Sequence, residues 1–148
     1  MKIEEKDVKP KLSNGWLKAW VMIESLAVKQ EISKQSLEEL SKIIDKEQEL
    51  GIIKKEFKES TKVENPLPNI PEAYSTILEL EILAKNYGSL VRFVMNYGPS
   101  AIEILEPKSI DIELGEAQNV LSEIANMIHR FAQAGVGGII LSKGGNQG

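Results

Sequence analysis

The stretch PEAYSTILELEILAKNYGSLVRFVM, residues 71–95, decides how the fold is read. Tyr74, Ile77, Leu78, Ile82 and Leu83 form one set of apolar positions at helical spacing. Ala73, Leu80, Ala84, Tyr87, Val91 and Val94 form a second set. Together they predict one long helix from Pro71 to Met95, apolar around much of its circumference. Such a helix lies at the centre of a core or is shared between a core and a partner chain. Pro71 suits its first turn, and Gly88 weakens it midway.

Upstream stands Asn65-Pro66-Leu67-Pro68-Asn69-Ile70-Pro71. Prolines fix φ and withhold a donor, so three of them in seven residues predict an extended connector and the main boundary of the chain. Before it, Trp16, Leu17, Trp20, Val21, Ile23, Leu26 and Ala27 recur at helical spacing, predicting a first helix from about Ser13. Ser36-Leu37-Glu38-Glu39 fits a capping box, so a second helix is expected from Leu37, with Gly51 as its terminator. Residues 52–57 read equally as a short strand or as more helix.

Downstream, Asn96-Tyr97-Gly98-Pro99-Ser100 signals a turn. Ala101–Leu105 and the period-two run Ile110-Asp111-Ile112-Glu113-Leu114 predict the two strands of a hairpin. Two strands alone are marginal, so this hairpin must pack on helices or pair across a dimer. A last helix opens at Gly115 and Glu116, carries Ala117, Val120, Leu121, Ile124, Ile128 and Phe131 as its stripe, and ends at Gly135.

The expected fold is α+β but predominantly α-helical, with about four helices and one short β-hairpin between the third and fourth. The organisation read from this is a flexible N-terminus (1–12), an N-terminal helical module (13–64), the Pro-rich connector (65–71), a helix-hairpin-helix module (72–135) and a Gly-rich tail (136–148).

Composition bounds the chemistry. The 148 residues contain no cysteine and one histidine, which excludes disulfides and thiolate metal sites and disfavours zinc. No cofactor is implied. Met1–Lys11 holds no apolar run of signal-peptide type, and no uncharged apolar stretch of about 18 residues exists, so a cytoplasmic address without a membrane span is expected. Rich Lys, Glu and Ile usage without Cys suits a thermophile's cytosol, and an AT-rich genome gives the same bias. Residues 1–62 carry 13 Lys against 12 acids, whereas 63–148 carry 5 basic residues against 10 acids. Neither half is the basic surface that nucleic-acid affinity requires.

No residue set reads as catalytic. The glycines at 135, 137 and 138 follow a helix instead of opening one, the reverse of a dinucleotide loop. The acids Glu103, Glu106, Asp111, Glu113 and Glu116 fit no metal-loop spacing. Asn96, Tyr97 and Ser100, on a turn stiffened by Gly-Pro, are candidate ligand-binding residues, with His129 or Arg92 as candidates to line the same pocket. Trp16 and Trp20, together with Ile139, Ile140 and Leu141 on the tail, are the candidate interface residues.

Two short resemblances bear on function. Ser36–Leu50 followed by Gly51-Ile52-Ile53-Lys54-Lys55 resembles the reading helix of a winged-helix regulator leading into its wing, which implies DNA binding through Lys54 and Lys55. Glu38, Glu39, Asp45, Glu47 and Glu49 depart from that pattern, because they repel phosphates. Tyr97–Pro107 is similar to the end of the C-terminal extension in WYL-domain regulators, over those residues alone.

The leading expectation is therefore a soluble, non-enzymatic interaction or assembly protein that forms homodimers or larger homo-oligomers. The first alternative is a DNA-binding regulator of winged-helix type. The second is a small-molecule binder or enzyme with a site near Asn96–Ser100. Expected partners are a second copy of the chain and then another protein; nucleic acid is disfavoured, and no membrane is implied.

Overall fold

The structure, a computed structural model, describes residues 1–135. Nine elements follow in order: α1 (Glu5–Ser13), β1 (Leu17–Ala27), α2 (Gln30–Asp45), β2 (Leu50–Phe57), β3 (Thr61–Leu67), β4 (Ile70–Ala84), α3 (Tyr87–Tyr97), β5 (Ala101–Glu106) and α4 (Leu114–Gln133). They fall into two compact units that divide after Ile110, and α4 belongs to the second.

The expectation of a predominantly helical chain is overturned. The first unit is built on a five-stranded sheet in the order β2-β4-β1-β5, with β3 also paired to β4, and every pairing between strands is antiparallel. The expected helix over 71–95 is the long central strand β4, a break at Lys85-Asn86, and then the short helix α3. Leu78, Leu80, Ile82 and Ala84 alternate to one face of β4 and are fully buried. The expected first helix is the strand β1, whose Leu17, Ala19, Val21 and Ile23 stand opposite Ala84, Ile82, Leu80 and Leu78 on that same face.

The two helices α2 and α3 cover this face. Leu37 and Ile44 of α2 join Leu90 and Phe93 of α3 in one cluster with the strand residues, and Leu40, Tyr87 and Tyr97 pack around it. Each large aliphatic buried there contributes about 1.5–3 kcal/mol. The ring of Phe93 tilts against Tyr97 with centroids 5.0 Å apart. One polar contact is sealed inside: Ser33 Oγ on α2 lies 2.8 Å from Thr76 Oγ1 on β4 and 2.8 Å from the Ser25 carbonyl, and both residues are buried. Buried hydroxyls are tolerated because they satisfy one another.

The local corrections have local causes. Helix α2 begins at Gln30, six residues before the expected capping box, and Ser36 Oγ donates to the Ile32 carbonyl inside the helix. Residues 52–57 are strand. Gly51 lies within β2 and does not end a helix. The Pro-rich segment 65–71 is the β3–β4 hairpin: Leu67 pairs with Ile70 across Pro68-Asn69, and the register shifts after Glu64, where Asn65 takes a positive φ of 50°. The prolines are accommodated at this bulge and turn and on the exposed end of β4. Residues 1–13 are ordered into the fold, because the Ile3 amide donates to Ile52 O and the Ile3 side chain is buried. Ala101–Glu106 is a strand as expected, but it pairs with β1 in place of a hairpin partner. Ile110–Glu113 is irregular, and Leu114 already belongs to α4. The turn at Gly98 is real: its φ of 51° closes α3, and its amide donates to Val94 O.

The second unit is described through α4. Val120 and Ala132 are buried, whereas Leu114, Leu121, Ile128 and Phe131 are exposed.

Candidate functional site

Three places in the described residues concentrate side chains of functional interest. The first is the last turn of α3, where the expected ligand site lies. Asn96 lines a small cleft of about 50 Å³ with Glu47, Glu49, Ser89 and Arg92. Arg92 donates to Glu49 at 2.6 Å, and Ser89 Oγ donates to the same carboxylate oxygen at 3.0 Å. Asn86 caps α3 by accepting from the Ser89 amide at 2.8 Å. The Tyr97 hydroxyl donates to Glu47. The guanidinium of Arg92, and then the Ser89 hydroxyl, hold Glu49 below its ordinary carboxylate value. Burial, and then the bond to Glu47, push the Tyr97 phenol up.

This cluster fastens the segment between α2 and β2 to α3. A carboxylate already neutralised by Arg92 is a poor general base, and the tyrosine is held protonated. Asn96 and Tyr97 are thus brought together with Arg92. Ser100 is not part of the cluster, because its amide and hydroxyl both donate to the Met22 carbonyl, at 2.8 and 3.1 Å, and seat the start of β5 on β1. His129 is exposed on α4 in the second unit. The sequence reading missed Glu47 and Glu49. The one local signal for the cluster is the Asn86-x-x-Ser89 cap.

The second place is a cleft of about 380 Å³ between α1 and the sheet face opposite the core, lined by Val8, Leu12, Ile53, Lys18, Glu81 and Glu106 among others. Ile53 stands there because the register of β2 on β4 slips between Ile52 and Lys54. Lys18 Nζ sits 3.0 Å from Glu81 and 3.8 Å from Glu106, and Lys54 reaches Glu81 at 3.9 Å. The hydrogen bond to Glu81 raises the Lys18 amine above its ordinary value. An amine held protonated is no nucleophile at neutral pH. Lys55, the other lysine expected to meet DNA, is paired to Asp45 at 2.9 Å.

Trp20 and Met22 share this second face, since they alternate with the buried Ala19 and Val21. Trp16 is half-buried, with Lys11 Nζ 4.1 Å above its ring centroid. The other expected interface residues, Ile139, Ile140 and Leu141, lie outside the described residues. No described group of three His, Asp or Glu side chains converges to hold a metal ion. No described helix is long and apolar enough to cross a membrane.

The third place is α4. Leu114 is 86% exposed, Leu121 64%, Ile128 38% and Phe131 46%. Leu114, Leu121 and Ile128 recur every seven residues, so they line one side of the helix. Large aliphatics aligned in this way offer no acid–base or ligand chemistry; they offer area to another apolar surface.

No curated protein and no solved structure matches the chain. A family model does match it, across residues 18–140, which take in β2 to β5, α4 and all of β1 but its first residue: the chain belongs to the MJ0538 family.

Proposed function

We propose that this protein is a non-enzymatic assembly protein that associates with copies of itself. The observation that carries this reading is the exposed line of Leu114, Leu121, Ile128 and Phe131 on α4. The charged side chains of both clefts support it from the other direction. Glu49 is paired with Arg92 and Lys18 with Glu81, so none of these four side chains is poised as an acid, base or nucleophile.

Light scattering coupled to size-exclusion chromatography on the full chain tests the proposal. A dimer or larger closed oligomer is expected. A strict monomer up to about 100 µM, a concentration at which even weak pairing populates the dimer, overturns it. A thermal-shift screen over nucleotides, metals and common metabolites is expected to be flat. Strong stabilisation by one small ligand would instead mark a binding protein.

A further inference from the structure

We infer that α4 pairs antiparallel with α4 of a second copy of this chain, an arrangement that rests on the self-association proposed above and gives it a geometry. Leu114, Ala117, Leu121, Ile124, Ile128 and Phe131 follow the alternating three-and-four spacing of a helix seam over nearly three heptads. Leu114, Leu121, Ile128 and Phe131 are exposed, and Ala117 and Ile124 are half-buried.

The residues beside the seam identify the occupant. One flank carries Val120 and Met127, and the other carries Gln118, Ala125 and Ala132. Val120 and Ala132 are already buried, but neither flank bears a charge to repel a like helix, and the exposed Ala125 allows close approach. Charge then chooses the direction. Glu113 and Glu116 stand at the start of α4, and Arg130 stands in its last turn. A parallel pair would set acids against acids. An antiparallel pair lays the acidic end of one helix along the basic end of the other and opposes the two helix dipoles.

The same alignment matches volumes. Leu114 falls opposite the partner's Phe131, Ala117 opposite the partner's Ile128, and Leu121 opposite the partner's Ile124. The helix is about 30 Å long at ~1.5 Å per residue. Six seam side chains from each copy cover on the order of 1,000 Å², the lower edge of a specific interface.

The absence of cysteine from the chain makes the test direct. Leu114→Cys and Phe131→Cys lie about 25 Å apart along one helix. When the two full-length variants are mixed and oxidised, a Leu114–Phe131 cross-link between chains is expected, and neither variant alone should cross-link efficiently. Leu121→Glu, at an exposed position that leaves the circular dichroism unchanged, should raise the dimer dissociation constant about 100-fold or more.

The outcomes separate. A wild-type monomer overturns both the pairing and the self-association. An oligomer in which Leu114→Cys cross-links to itself, or one that survives Leu121→Glu, overturns the antiparallel α4 pair and leaves self-association standing.

Discussion

A β-carbon built on Gly51 would run into Cδ1 and Cγ1 of Ile3. The N-terminal segment therefore lies against the sheet at a place that only glycine leaves open. The approach is held by the backbone, because the Ile3 amide donates to Ile52 O at 2.9 Å, and Ile3 is buried where it lands. Gly51→Ala should cost about 1–3 kcal/mol, since the buried Ile3 side chain must shift to admit the methyl group. Repeated in an Ile3→Ala background, the same substitution should cost less than about 0.5 kcal/mol, because the obstructing methylene is gone. Urea denaturation of the four proteins checks this. Equal costs in both backgrounds would show that Gly51 is required for some other reason.

The Glu49–Arg92 pair predicts a limited acid sensitivity. Glu49 titrates below its ordinary value of 4.5 in the folded chain. Its contribution is therefore present above that value and is lost as the pH falls through the lower folded one. The two side chains are 42% and 38% exposed, so solvent screening keeps the contribution under about 1 kcal/mol. Glu49→Gln should destabilise by no more than that at neutral pH, and its stability should fall less steeply than the wild type's below about pH 4.5. Parallel slopes for the two proteins in acid would mean that Arg92 does not hold the carboxylate in solution.

At the alkaline end, Tyr97 sets the opposite sign. Its folded phenol ionises above the ordinary value of 10.0, through burial and then the bond to Glu47. Stability from this group is full below pH 10 and declines as the pH rises further. Tyr97→Phe keeps the ring against Phe93 but loses the hydrogen bond, at about 0.5–1.5 kcal/mol near neutrality. An ultraviolet titration should show that the substitution removes the component that ionises last. Curves of the same shape for both proteins would refute the burial of this phenol.

Much of the fold was hidden by a single ambiguity of period. In β1, Leu17, Ala19, Val21 and Ile23 are buried, yet Trp20 and Met22 between them are large and half-buried as well. In β4, Ile77 and Leu83 fill the parity opposite Leu78, Leu80 and Ile82. A strand that is apolar on both faces loses its clean alternation and imitates a broad helical stripe. Leu78-Glu79-Leu80-Glu81-Ile82 keeps the period-two signal, and it is the part of the stretch that could have decided the question. Conversely, Ile110–Leu114 alternates well but pairs with no strand among the described residues, and alternation by itself supplies no partner. Helix α4 was legible because its apolar positions keep to one side and glycine follows its end. At the α3 cluster, turn chemistry alone pointed to Asn96 and Tyr97, with Arg92 as an alternative to His129. Glu47 and Glu49 were not, because they stand 50 and 43 residues from the Tyr97 and Arg92 side chains they meet.

The β3–β4 hairpin yields the last prediction, and it turns on one dihedral angle. Leu67 pairs with Ile70, leaving Pro68 and Asn69 as the two central residues of the turn, and Asn69 has a φ of 70°. Proline followed by a residue of positive φ is the pattern of a type II turn, which favours Gly or Asn at the second position. Asn69→Gly should therefore be neutral within about 0.5 kcal/mol. Asn69→Val places a β-branched side chain in the left-handed region, at a cost of about 1–3 kcal/mol. Because the strand residues around this turn are largely exposed, the loss should appear first as faster amide exchange across Thr61–Ala73, with the core strands β1 and β4 beyond Tyr74 still protected. If Asn69→Val instead accelerates exchange uniformly through the sheet, the hairpin is not a separately opening element. If Asn69→Gly and Asn69→Val behave alike, the turn does not need the left-handed conformation at all.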